Sequence, residues 1–418
     1  MFAATLALAL ARPRGIHEAV FTVAGAAVML AIGAVHAGDL RAIDAAGRGA
    51  ILFLAALLIL SALVDRSGLF EWAALHAARA ARGSGRVLFR NVFVLGAIVT
   101  ATLSLDTTAV LLTPIVLSFV RRLGVSARPY VIACAFVANA GSLALPVSNL
   151  TNLIFAGAFH LAFARFVLVM APVQIAVLAI TYAALRAHFA SDLGSFDVAA
   201  LPADPAEVVP HRGYFLTTTA VLAAALAGYG VAPVFAVEPY AVAFGASAVL
   251  LVAGVATGRV GRAVVGEISW GVVPFVLGLF VVVQALDNLG LASALARFIA
   301  GAPGGAVGRA LATTGAAAVA SNAMNNLPAA LVARAALAQT AGVGAAGSPG
   351  PMLVYATLVG TNVGPNVVPF GSLATVLVLT LARRSGVHVS AGSFARAGLW
   401  ATPLACAVAS VAVALVAR

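Results

Sequence analysis

Long apolar runs, parted by short breaks that carry arginine, recur from one end of the chain to the other. Residues 18–37, 49–64, 166–185, 214–230, 240–257, 266–286 and 396–417 each approach or exceed the ~20 apolar residues that let a helix cross a bilayer, and each predicts one spanning helix. A shorter run, 2–11, lacks the charged start and small-residue cleavage pattern of a secretory signal and predicts a truncated helix. Two longer stretches, 91–163 and 305–382, are apolar but interrupted by Gly, Pro, Asn, Ser and Thr.

The first interruption has an informative setting. Residues 91–120 are more than one span needs, yet Arg86 and Arg90 precede them and Arg121 and Arg122 follow. The middle, Ser104-Leu105-Asp106-Thr107-Thr108, is polar, and Pro114 comes next. A re-entrant hairpin that dips into the bilayer and returns to the same face accounts for both basic flanks. A plain spanning helix would strand one pair on the far side.

Composition narrows the class. The 418 residues are 63% hydrophobic and 9% charged, whereas a soluble domain runs roughly 45–50% apolar and about 25% charged. That excludes a soluble enzyme or binding module, and also a disordered chain, which needs low hydrophobicity and high charge. The net charge of +11 comes from 24 basic residues, all arginine, placed singly or in pairs with no basic stripe for nucleic acid. Basic residues concentrate on the cytoplasmic side of a membrane protein. Alternating the spans puts 17 arginines on one face, Arg12, Arg14, Arg66, Arg79, Arg186, Arg212 and Arg383 among them, and 7 on the other. The first spanning helix then runs outward from a cytoplasmic Arg12/Arg14 region.

The halves of the chain resemble each other. Asp65-Arg66-Ser67-Gly68-Leu69 aligns with Asp287-Asn288-Leu289-Gly290-Leu291 at an offset of 222. Asn139-Ala140-Gly141 aligns with Asn362-Val363-Gly364, and Pro146 with Pro369, at an offset of 223. The topology runs 2–11 inward but its counterpart in 214–230 outward, so the repeats are inverted, as in transporters that bind substrate where two broken-helix repeats meet. The fold class expected is an all-α polytopic membrane protein of two inverted-topology repeats, each with a re-entrant hairpin and a broken transmembrane helix. Residues 1–190 form the first repeat, 191–213 a cytoplasmic linker and 214–418 the second.

Four polar clusters break the apolar sequence. They hold Asp106, Thr107 and Thr108; Asn139, Gly141, Ser148, Asn149, Thr151 and Asn152; Asn322, Asn325 and Asn326; and Asn362, Gly364, Asn366, Gly371, Ser372 and Thr375. Pro and Gly break helices, and backbone freed in lipid persists only against protein or a water-filled cavity. Half-helix ends then offer N–H donors, and the amide and hydroxyl side chains add donors and acceptors. These 18 residues are the candidate substrate-binding set, suited to a small, oxygen-rich, neutral or anionic solute. The plainer alternative is that they tie helices together.

Asp106 is the sharpest position. The other acids read as loop or helix-end residues, whereas Asp106 lies inside an apolar stretch, where a carboxylate is costly and marks function by default. It suits proton coupling; capping of the broken hairpin, shared with Thr107 and Thr108, is the competing role. The histidines lack metal-ligand spacing, and without lysine no Walker A sequence exists. Cys134 and Cys406 read as packing residues. No cofactor and no metal is expected.

At the same clusters the sequence resembles the arsenical pump membrane protein (arsenite/antimonite permease) family of the ion transporter superfamily. The likeness is carried by LPVSNLTNLI from Leu145, SNAMNNLPAAL from Ser321, PFGSLAT from Pro369 and SLDTTAVLLTP from Ser104, and it extends from about Asp65 to the C-terminus. The resemblance implies an inner-membrane carrier, not an enzyme. Its partners would be the lipid bilayer, arsenite or antimonite as substrate, protons in exchange and a cytoplasmic ATPase, with no nucleic acid. Other superfamily members carry organic anions with sodium or protons, or exchange sodium for protons, through Ser-Asn-Thr signatures. Here Leu150 interrupts that signature as Ser148-Asn149-Leu150-Thr151, which weighs against a sodium-coupled dicarboxylate carrier. An intramembrane enzyme using Asp106 with a nearby Ser or Thr is the reading from another class, and it lacks a His or Lys base.

Overall fold

The computed structural model describes residues 1–11, 16–202, 204–340 and 350–417; Arg12 and Arg14, placed above by charge alone, lie outside them. Among the described residues the chain is helical, with one isolated extended bridge between Ser84 and Ser195. The first half comprises α1 (Phe2–Ala11), α2 (Glu18–Ala31), α3 (Ala37–Asp65), α4 (Leu69–Arg79), α5 (Gly85–Thr102), α6 (Leu105–Thr107), α7 (Thr113–Arg122), α8 (Ala127–Ala140), α9 (Leu150–Ala158) and α10 (Phe163–His188). The second comprises α11 (Arg212–Val231), α12 (Pro239–Ala256), α13 (Val264–Glu267), α14 (Val272–Asn288), α15 (Leu291–Ala300), α16 (Gly305–Met324), α17 (Asn326–Thr340), α18 (Pro351–Val363), α19 (Leu373–Arg384) and α20 (Ala391–Val416).

Seven stretches are long and apolar enough to cross a membrane: Gly47–Asp65 within α3, Val264–Asn288 through α13 and α14, and helices α5, α10, α11, α12 and α20. They answer six of the seven runs seen in the sequence; the seventh span, α5, lies in the stretch read there as a re-entrant hairpin. The run 18–37 is not one helix, because α2 stops at Ala31 and the chain turns through Gly33 at φ 73°. The Asp39 carboxylate then accepts the His36 N–H at 2.8 Å and starts α3. A turn made of apolar residues is invisible to hydropathy; only the glycine marks it. Large apolar side chains such as Leu168, Val252, Val319 and Leu404 stay exposed on α10, α12, α16 and α20, and on a chain of this composition that surface faces lipid.

The second half repeats the order of elements of the first. Gly68 and Gly290, aligned by sequence, precede α4 and α15 at φ 75° and 85°, the left-handed turn that glycine adopts without steric cost. Packing is reciprocal: α2 lies against α14 and α12 against α3, α5 against α8 and α16 against α18, while α10 and α20 pack on each other. Four breaks interrupt this scaffold, at Leu103–Ser104, between α8 and α9, at Asn325, and between α18 and α19. The connector after α10 is clipped down: Gly85 N–H donates to the Gly194 carbonyl (2.9 Å), Phe196 N–H to that of Gly83 (2.9 Å), and Arg79 to that of Pro202 (2.6 Å).

Candidate functional site

The first break is built by hydroxyls. Past α5, Ser104 Oγ accepts the Thr107 N–H at 3.2 Å and caps α6, so the capping role considered for Asp106 belongs to Ser104. Thr107 Oγ1 lies 3.0 Å from Ser104 Oγ and 2.7 Å from Ser61 Oγ on α3. Thr108 turns the other way, to Thr100 Oγ1 at 2.7 Å, and is fully buried. A π-helical turn, Thr108–Leu112, links the tip to α7; such turns are rare and recur at functional sites. Amid this pairing the half-buried Asp106 carboxylate makes no hydrogen bond to any described residue.

Asp106 borders two cavities. The wider, about 160 Å³, has Ser61, Ser104 and Thr107 in its wall and exposed Asp65, Glu267 and Ser269 at its rim. The narrower, about 40 Å³, gathers Asp106 with Asn149, Thr151, Asn325 and Asn326 against Leu54, Phe275 and Val276. Asn149 and Asn325 are oriented by the breaks they make: Asn149 Oδ1 accepts the Thr151 N–H at 3.1 Å, and Asn325 Nδ2 donates to the Phe370 carbonyl at 3.0 Å. Asn325 holds φ 76°, ψ 154°, a region nearly reserved for glycine that costs of order 1–3 kcal/mol elsewhere. Asn326 N–H donates to the Gly371 carbonyl at 2.8 Å.

The remaining predicted residues form a buried network beside these cavities. Asn139 Nδ2 donates to Asn366 Oδ1 (2.8 Å) and Thr375 Oγ1 (3.1 Å). Asn362 Nδ2 donates to Asn152 Oδ1 (2.7 Å), and its Oδ1 accepts from Asn149 Nδ2 (2.8 Å) and Thr151 Oγ1 (2.9 Å). The Asn139–Thr375 and Asn362–Asn152 pairs correspond under the offset of 223, so each half reaches into the other by the same bond. Ser148 and Asn152 donate to the Ser142 carbonyl (2.9 and 2.7 Å), and Asn322 donates to that of Gly364 (2.7 Å) and accepts the Val368 N–H (3.0 Å). These bonds satisfy backbone that broken helices leave bare inside a membrane. Gly141, Gly364 and Gly371 serve close approach: a Cβ there would meet the Val137 carbonyl, Ala318 and the Pro365 carbonyl. Ser372 Oγ and Asn139 Oδ1 are buried with no partner among the described residues.

Over residues 1–416 the sequence matches the model of the arsenical pump membrane protein family. The chain belongs to that family. It is 34% identical to the arsenical pump membrane protein of Escherichia coli K12 over 409 residues, covering 96% of this chain and 94% of the relative. It is 35% identical to that of Yersinia enterocolitica over 410 residues, again 96% and 94%. Among solved structures, the Alcanivorax borkumensis YdaH transporter, described as having an unusual topology, superposes with a TM-score of 0.60 at 18% identity over 90% of this chain and 86% of that one. That likeness concerns the fold.

In this member of the arsenical pump family, a multi-pass membrane transporter, several residues at the site carried no sequence signal. Glu18, which reads as a helix-end acid, is 4% exposed and lines the wide cavity with Asp106. Burial among the acids is therefore not confined to Asp106. Ser61 is a single hydroxyl in an apolar run, and Glu267 pairs with Arg66, whose Nε donates at 3.0 Å. Gln174 on α10 accepts the Leu143 and Ala144 N–H groups at 2.8 and 2.7 Å. Only their partners, far away in sequence, give these residues meaning.

Proposed function

We propose that the chain exports trivalent arsenite and antimonite across the cell inner membrane in exchange for protons. The observation that carries this reading is Asp106: a carboxylate with no hydrogen bond, sharing a cavity of about 40 Å³ with amide and hydroxyl groups from both halves of the chain. Arsenite at neutral pH is mostly an uncharged trihydroxide. Asn326 offers it a side-chain amide whose hydrogen bonds are unspent, Asn149, Thr151 and Asn325 offer remaining acceptor capacity, and among the described residues no arginine borders either cavity beside Asp106, which favours a neutral solute over an organic anion. The names of the Escherichia and Yersinia relatives agree.

In this reading the halves are inverted repeats. The repeated element order, the reciprocal packing of α2 on α14 and α12 on α3, and the one-sided arginines support it. The C-terminal end of α1 and residues 191–213 then belong to the cytoplasmic side, and α5–α7 re-enter from it. The hairpin tips and broken segments move against a scaffold of α2, α3, α12 and α14. A proton taken by Asp106 from outside neutralises the tip, is carried inward and is released to the cytoplasm before arsenite binds from that side. Asp106→Asn keeps the shape and cannot carry the proton, so everted vesicles bearing it should lose arsenite uptake driven by a pH gradient. Undiminished uptake would overturn the assignment.

A further inference from the structure

A third cavity lies on the same line as the two that touch Asp106. Val272 borders the wide cavity, Val272, Phe275 and Val276 the narrow one, and Phe280, Val283, Gln284 and Asp287 the third, of about 20 Å³. These positions recur at three and four residues along one stripe of α14. From Val272 to Asp287 the helix rises roughly 22 Å, most of a bilayer core. Helix α3 runs along the same line, with Ser61 and Asp65 at the wide end and Ile43 at the small one, and Leu327, Leu331 and Arg334 descend α17 on the opposite wall. The three spaces therefore line up along a single route, large at the Asp65 end and small at the Asp287 end.

A cation borders its small end. Arg334 is half-buried on α17, and its Nε is inside the protein with no hydrogen-bond partner. Asp287 faces the same cavity from α14 but forms no salt bridge with Arg334 among the described residues. Asp287 instead accepts from Gln339 Nε2 at 3.4 Å, and Gln339 is held by Ser293 Oγ at 2.7 Å. The guanidinium thus borders the smallest of the three cavities with no hydrogen bond or salt bridge among the described residues. Field from a fixed charge is strong in a low-dielectric constriction, and a positive group there excludes protons and other cations while neutral solutes pass.

We infer that Arg334 is the barrier to cation leak at the far end of the route: it blocks cations, above all protons, until α17 and α14 part. The inference rests on reading the three cavities as the transport route. Its consequence is coupling. A proton held at Asp106 cannot slip past Arg334 without the conformational change that also moves the substrate.

The test needs no arsenic. Full-length protein in liposomes, with a pH dye inside and a potassium diffusion potential imposed, reports proton leak directly. Wild type and Arg334→Lys should leak little, and Arg334→Gln should leak about tenfold faster or more, a factor of ten corresponding to about 1.4 kcal/mol of barrier. Asp287→Asn removes the opposing charge and should leak no more than wild type. Arg334→Gln as tight as wild type, or Asp287→Asn as leaky as Arg334→Gln, would overturn the barrier. If Arg334→Gln does not purify folded, Arg334→Met keeps the stem's packing and is judged by the same outcomes. Because substrate is absent, the leak decides on Arg334 alone, whereas uptake by the Asp106→Asn vesicles decides on arsenite exchange.

Discussion

Asn362 and Asn326 are the same residue type at two breaks of the second half, and the structure gives them opposite employment. Asn362 accepts from Asn149 and Thr151 and donates to Asn152, all across the two halves. Asn326 spends only its backbone N–H, on Gly371, and its side chain borders the Asp106 cavity. Interhelical hydrogen bonds in membrane proteins average about 0.6 kcal/mol each, so Asn362→Ala should cost about 2 kcal/mol, read as a lower melting temperature in detergent. Asn326→Ala should stay within about 0.5 kcal/mol of wild type and instead weaken arsenite transport, read as a raised KM in vesicles. Equal melting temperatures for the two variants would remove this division of labour. Sequence placed all 18 polar candidates in one set because Asn, Ser and Thr look alike whether their hydrogen bonds are spent or open.

Helices here are placed by where small residues let backbones meet. A Cβ on Gly360 of α18 would collide with the Thr314 carbonyl on α16, whereas one on Gly315, facing the open side of α16, would touch nothing. Gly360→Ala should destabilise by about 1–3 kcal/mol, and Gly315→Ala should stabilise by about 0.5–1 kcal/mol through helix propensity alone. Thermal unfolding of the pair checks both signs. Breaks were legible at this scale, since Pro146, Pro369 and the Asn-x-Gly pairs disrupt a helix locally whatever surrounds them. The end of α2 at Ala31 was not, because the turn that follows it is as apolar as the helix.

Across the whole molecule the route is lopsided, about 160 Å³ on one side of Asp106 and about 20 Å³ at the Arg334 end. In a background with Cys134→Ala and Cys406→Ala, a cysteine at Leu58 should react with a membrane-impermeant thiol reagent in everted vesicles, and one at Val283 should not. Mass spectrometry of the labelled protein measures both. Comparable labelling would mean that the wide cavity is not the accessible end.

By itself the sequence determined the class, the rough limits of six of the seven spans and the places where helices break. These follow from local composition, because partition into lipid and helix breaking are decided residue by residue along the chain. Only the tertiary structure decided which polar groups keep hydrogen bonds unspent, that Glu18 and Ser61 share a cavity with Asp106, and that Arg334 borders a third cavity with its Nε unpartnered among the described residues. Hydrogen-bond satisfaction is a property of pairs, and here the partners lie in opposite halves of the chain, as Asn139 and Asn366 do. No pattern along one strand of sequence encodes which of them will meet.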